Sequence, residues 1–432
     1  MENLSLVVIV MVVVLFAALF SGLWIGLAIG FTGLVIHVLF VGGSLDFLGI
    51  LQFNIFNSFL WTSMPLFMFM GNILFRCGLG DRLYNAVNPM VGSFPGGLLH
   101  TNILSCAIFA ATSGSSLATA ATIGAIAIPE LDKRKYNRMM TLGSLAAGGT
   151  LGIMIPPSIP FIVYGAWVGE SVGKLFIAGI IPGLLLTSLF MGFIVFASLL
   201  NPALNPPRES FNLRSALRGI KDLLPVGILI FLVLGSIYLG ITTPTEAAAV
   251  GCIGAIAIAA GYRKLEWKGF KEALLETVSA TGMILLCVVG TQIMAMVLAV
   301  LRVPASIAEY VASAGISRGF VFILIVLLYL VLGCFIDALS MTLLTLPITY
   351  PLMMRLGFDS VWYGVIVVLM SELALITPPV GMNLFIIQGI CKEKLSVVVY
   401  GALPYVGIML GTAALLYAFP EIAIWLPKQM YK

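Results

Sequence analysis

The stretch Leu151-Gly-Ile-Met-Ile-Pro-Pro157 recurs as Leu373-Ala-Leu-Ile-Thr-Pro-Pro379. Each copy lies in the middle of an apolar segment long enough to cross a bilayer. A proline pair cannot sit inside a continuous helix, because proline lacks the backbone donor and clashes with the preceding turn. Each segment therefore divides into two half-helices with loose amides and carbonyls between them. Such groups persist at membrane depth only where protein or a polar cavity surrounds them. Two broken spans in corresponding positions of two halves point to a transporter binding site at the bilayer midplane.

Composition agrees with a membrane setting. The 432 residues are 61% hydrophobic and 9% charged, and the mean hydropathy is +1.13. A soluble domain carries about a quarter charged residues, so a large globular core is excluded. The net charge of +4 has no polar surface to support a nucleic-acid interface and reads as membrane topology. Six cysteines stand singly without a CxxC pair, as small packing residues. The first apolar run, 6–20, lacks a basic leader and runs almost directly into another span, so a retained helix is expected and not a cleaved signal.

Apolar runs predict spans at 4–20, 24–41, 60–80, the broken 138–168 and 175–199, then 223–240, 245–261, 280–301, the broken 360–387 and 396–419. A polar, Pro-containing linker at 201–222 divides them and a short tail covers 421–432. Two apolar regions, 95–131 and 320–354, are interrupted at Thr112-Ser-Gly-Ser-Ser116 and Phe335-Ile-Asp-Ala-Leu-Ser340. Their arms suit re-entrant helical hairpins better than pairs of crossings. The expected fold is an all-α integral membrane protein with about ten transmembrane helices and two re-entrant hairpins. Residues 1–200 and 223–420 form two repeats offset by about 222 residues, with the linker cytoplasmic. Five crossings per half make the repeats inverted. Segment 265–278, with Trp267 and Phe270 among Lys268, Lys271, Glu272 and Glu276, suits an interfacial helix, or a simple loop. On this map 16 of the 22 Lys and Arg fall on one side, which makes that side cytoplasmic and both termini periplasmic.

Helix ends converging near the midplane favour ions, and hydroxyls supply oxygens without burying formal charge. The first tip offers Thr112, Ser113, Ser115, Ser116 and Thr119, and the first break Gly148, Gly149, Thr150 and Ser158. The second set is Gly333, Asp337, Ser340 and Thr342 with Thr377 and Asn383. Small residues also serve simply to pack helices closely. Three acids lie in or beside the spans. Asp337 suits a ligand or a fixed loop, Glu246 a helix cap, and Glu372 an ion or proton relay or a local partner. The sequence contains no P-loop, His-rich metal motif or GxSxG, so no enzyme is expected. Ser113 or Ser115 with His100 is the one thinkable catalytic pair.

The runs Ala111-Thr-Ser-Gly-Ser-Ser-Leu-Ala-Thr-Ala-Ala121, Gly148-Gly-Thr-Leu-Gly-Ile-Met-Ile-Pro-Pro-Ser158 and Ile376-Thr-Pro-Pro-Val-Gly-Met-Asn383 together resemble the large, DctM-like membrane subunit of tripartite ATP-independent periplasmic (TRAP) transporters. The resemblance spans essentially the whole chain. It implies a bacterial inner-membrane secondary transporter of the ion-transporter superfamily, elevator-type and driven by Na⁺. The organic acid would come from a periplasmic (P-type) binding protein, and a small four-helix (Q-type) membrane subunit would be a separate polypeptide. Two or more Na⁺ would be held at Ser113, Ser115, Gly149 and Pro156, and at Gly333, Asp337, Thr377 and Gly381. Substrate would lie between the tips, at Ser115, Ser116, Thr119, Ser158, Ser340 and Asn383. No Arg or Lys lies near either tip on the map, so an anion would depend on hydroxyls, amides and bound Na⁺. A single-component Na⁺- or H⁺-coupled carboxylate carrier and a non-transporting scaffold are the alternatives.

Overall fold

The computed structural model describes residues 2–42, 44–201 and 212–430, all of whose regular elements are helical. The first half runs α1 (Glu2–Phe20), α2 (Ile25–Ile36), α3 (Phe47–Phe56), α4 (Ser63–Arg76) and α5 (Leu79–Val91). A hairpin of α6 (Leu98–Ser113) and α7 (Ser116–Lys133) follows, then α8 (Arg138–Met154), α9 (Ile159–Val168) and α10 (Val172–Leu200). The second half repeats the order: α11 (Leu213–Tyr238), α12 (Pro244–Gly261), α13 (Trp267–Val300) and α14 (Val303–Ser313). Its hairpin is α15 (Arg318–Leu332) and α16 (Ala338–Arg355), followed by α17 (Ser360–Ile376), α18 (Met382–Cys391), α19 (Leu395–Ala418) and a terminal α20 (Glu421–Gln429).

Among the described residues six helices are long and apolar enough to cross a membrane, the broken 138–168 included. A seventh is the pair of α3 and 59–76, bent by 50°. The other predicted spans, 4–20, 24–41 and 360–387, correspond to shorter apolar helices.

Several boundaries differ from the sequence reading. Segment 265–278 is no separate interfacial helix, because it runs without a break into the 34-residue α13. The charged face suggested a separate helix, but no Pro lies in this stretch and Gly282 is accommodated within the helix. The third span stops at Arg76 and not at 80, where Gly78, in a left-handed conformation, turns the chain into the amphipathic α5. Residues 213–222 of the linker open α11 with Asn212 as N-cap, while 202–211 fall outside the described residues. The predicted tail contains α20, which packs against α10.

The halves interlock. α2 packs on α13 and α12 on α4, each helix of one half against one of the other. The first of these contacts is backbone to backbone, since a Cβ on Gly290 would stand 2.0 Å from the Gly26 carbonyl oxygen. Small residues allow such approach where lipid supplies no hydrophobic drive. At the centre lie α8 and α17, the first pieces of the two broken spans. Every residue from Thr141 to Met154 and from Val361 to Ile376 is buried, and the two helices touch. The outer helices instead expose apolar side chains such as Phe231 on α11 and Ile253 on α12, as a lipid-facing surface requires.

Candidate transport site

Both breaks have the same local cause. The residue before a proline is pushed to extended backbone, and Ile155 (φ −88°, ψ 121°) and Thr377 (φ −93°, ψ 126°) are extended C-caps of α8 and α17. The chain resumes helix at α9 with proline in its first turn, and at α18 after Gly381 at φ +43°. In both breaks the Pro-Pro peptide is cis.

The hairpin tips are turned by different chemistry. α6 ends on Gly114 at φ +58°, and Ser115 caps α7 by accepting from the Ala118 amide at 3.3 Å. At the second tip Asp337 caps α16, accepting from the Leu339 and Ser340 amides at 3.1 Å each. The first tip sits directly on the first break: a Cβ on Gly152 would come within 2.6 Å of the Ser115 carbonyl oxygen and the Ser116 Cα. Only glycine lets the helix approach the tip backbone so closely.

Tips and breaks surround a cavity of about 500 Å³. Ser113, Ser115 and Ser116 line it from the first tip, and Asp337 from the second. Ile153 and Ile159 flank it at the first break, and Leu375 and Met382 at the second. The facing wall comes from α4 and α13, with Asn72 and Phe75 on one and Glu276 and Met283 on the other. No Lys, Arg or His lines the cavity among the described residues. Arg76, one turn beyond Asn72, binds Glu272 at 2.5 Å and also Glu276, fastening α4 to α13 at the edge of that wall.

Glu372 occupies the centre. It is fully buried on α17, and its carboxyl accepts from the Ile153 amide at 2.9 Å and lies 2.5 Å from Ser116 Oγ. Ser116 Oγ also lies 2.8 Å from the Gly149 carbonyl oxygen. A hydroxyl has one hydrogen, so Ser116 is shared between the Glu372 carboxyl and the Gly149 carbonyl. The acid left open by the sequence thus ties the second half to the first tip and first break.

The remaining assigned residues divide as follows. Ser113 Oγ pairs with Thr119 Oγ1 at 3.0 Å, and Thr119 itself is buried and donates to the Ser115 carbonyl. Ser340 is buried, with Cys287 Sγ 3.8 Å from its hydroxyl. Thr377 Oγ1 donates to Leu373 O at 2.6 Å. Pro156 and Gly333 pack inside the protein, Gly333 against Ala374. None of Thr119, Ser158, Ser340 and Asn383 lines the cavity. Asn383 was grouped with the second set, yet it reaches α8 of the first half, donating to Ala146 O at 3.4 Å beside Gly149. This follows from α18 packing on α7 and α8. Asn383 Oδ1 and Ser158 Oγ are buried without a hydrogen-bond partner. Among the described residues no cluster of three His, Cys, Asp or Glu exists. The donors available to a cation are therefore hydroxyl, amide and carbonyl oxygens with Asp337, a set suited to a hard ion.

Glu246 acts as expected, in a capping box with Thr243. His100 binds the Pro95 carbonyl at 2.7 Å. Thirteen residues of helix, about 20 Å, separate it from Ser113, so no catalytic pair forms.

Residues 12–422 match the family profile described as tripartite ATP-independent periplasmic transporter, DctM component. The chain belongs to this family. It is 35% identical over 399 residues to the C4-dicarboxylate TRAP transporter large permease protein DctM of Pseudomonas aeruginosa, covering 92% of this chain and 93% of that one. The sialic acid large permease SiaM of Vibrio cholerae is 30% identical, again over 92% and 93%. The isethionate permease DctMQ of Oleidesulfovibrio alaskensis is 32% identical over 88% of this chain and 60% of its own length. Among solved structures, the fold resembles the Alcanivorax borkumensis YdaH transporter, with a TM-score of 0.64 at 14% identity over 90% of each chain. The chain is thus a multi-pass membrane permease of the TRAP family, not an enzyme.

Proposed function

We propose that this permease takes up a small organic acid across the bacterial inner membrane by Na⁺ symport, accepting it from a periplasmic binding protein. The cavity between both tips and both breaks carries this reading. Among the described residues it is lined by polar interruptions from both halves. Relatives named for C4-dicarboxylates and sialic acid support organic acids as cargo. The name DctMQ supports a small Q-type subunit as partner. The halves act as inverted repeats with both termini periplasmic. Tips and broken spans slide as an elevator against a wall that includes α4 and α13. One cation is held near Ser113, Ser115 and Gly149, and another near Gly333, Asp337 and Thr377.

The test is the apparent melting temperature of the purified chain across a sodium series, with choline keeping ionic strength constant. A ligand bound only by the folded state stabilises it by mass action, so a saturable rise specific to sodium is expected. Ser115→Ala and Thr377→Val should each weaken it. Identical curves in sodium and choline, from a folded sample, would refute sodium coupling.

A further inference from the structure

We propose that the transported acid carries one carboxylate on an apolar body, as a branched-chain or aryl-substituted monocarboxylate does. This rests on the cavity being the substrate site and narrows what that site accepts.

The two tips offer an anion unequal terms. The first is capped by a neutral serine, and the Ser116 and Leu117 amides at the start of α7 have no intrahelical acceptor. With the Ser115 hydroxyl they form one cluster of donors at the cavity edge. The second tip is already filled by its own carboxylate, because Asp337 takes the Leu339 and Ser340 amides. With the cation proposed there bound, Asp337 and the ion sum to no net charge, so a second carboxylate would find no net positive charge and, of the first-turn amides, only that of Ala338 without an intrahelical acceptor.

The facing wall is no better for a second charge. Its acid, Glu276, is held by Arg76. Its amide, Asn72, gives one N–H to Thr277 Oγ1 at 3.0 Å and is neutral, leaving a single N–H and a carbonyl oxygen. The rest is Met68, Gly71, Phe75, Ala280, Met283 and Ile284. Burying a charge without a partner is very costly, and hydroxyls along a sugar acid would likewise face thioether and aromatic carbon. About 500 Å³ is ample for a small body that exchanges water for those side chains.

The experiment measures binding to the purified full-length chain in sodium, by titration calorimetry with isovalerate, succinate, gluconate and acetate. Isovalerate is expected to bind at least tenfold tighter than succinate or gluconate. Phe75→Ser, checked for folding by its sodium-dependent melting, should bring isovalerate down toward acetate. Tighter binding of succinate or gluconate overturns the proposal while leaving carboxylate transport standing. So does a Phe75→Ser protein with the original ratio of isovalerate to acetate. If no carboxylate binds to a sodium-stabilised chain, the carboxylate reading itself fails and takes this one with it.

Discussion

The first hairpin lies inside the protein and the second at its edge. α6 buries fourteen of its sixteen residues, whereas α15 buries four of fifteen and turns Ile323, Leu327 and Val331 outward. An interior hairpin has to find partners for its polar residues, and the first ties many of them through Tyr84 to Asn102, Asn102 to Ser144 and Ser116 to Gly149, leaving the Thr101 and Ser105 hydroxyls of α6 without one. The second keeps its polar contacts on the inner arm, where Thr342 meets Ser371 at 3.0 Å. Ser371 and Gly149 are equivalent under the 222-residue offset, so each tip is tied to its own break at the same level. The small residue that permits contact has changed sides. In the first half Gly152, on the helix before the break, meets the tip; in the second Gly333, on the tip, meets Ala374, the counterpart of Gly152. The contact is therefore common to both halves, while the residue that permits it differs.

The largest effect should come from Glu372, whose counterpart Thr150 merely donates to Ala147 in its own helix. Glu372→Ala takes the carboxyl from the Ile153 amide, leaves Ser116 with Gly149 alone and opens a buried void, and should cost about 3 kcal/mol, an orphaned group costing roughly 1–3 and the void adding to it. Glu372→Gln presents a carbonyl to Ile153 and an amide donor to Ser116, and should retain most of that. Thr150→Val should cost under about 1 kcal/mol. Melting curves of the three variants check the order; equal losses would dissolve the asymmetry between halves.

Gly152→Ala and Gly333→Ala should each cost about 2 kcal/mol by overpacking. Combining Gly333→Ala with Ala374→Gly should recover much of the second loss, because the methyl only changes sides. No recovery in the double variant would show that the contact is not what sets the tip. The caps come next. Asp337→Ala should cost about 1 kcal/mol and Ser115→Ala somewhat less, within the range for lost N-caps, measured as shifts in melting midpoint. Smallest is Arg76→Gln, where partly exposed ion pairs are worth at most about 1 kcal/mol. Its deficit should vanish in high salt.

Legibility in the sequence follows the range of the forces. Breaks and tips were readable because Pro156, Pro378, Gly114 and the caps Ser115 and Asp337 act on their immediate neighbours. The crossing of halves was not, since Asn383 reaching Ala146 and Glu372 reaching Ser116 depend on how distant helices pack. Two amphipathic helices, α5 and α14, escaped notice because their charges and prolines resemble loop composition. Asn72, Phe75 and Glu276 carried no signal of a site, since a cavity wall becomes one only when something faces it.

α13 is 34 residues without interruption, a rod of about 51 Å against a hydrocarbon layer of about 30 Å. It must lean or project, and its first turns carry Trp267, Lys268 and Lys271, residues that anchor at the headgroup level. The same rod presents Ala280, Met283 and Ile284 to the cavity. Any change in its lean would carry that wall with it. Reconstitution into lipids of graded chain length should shift substrate affinity along with the lean of this one helix.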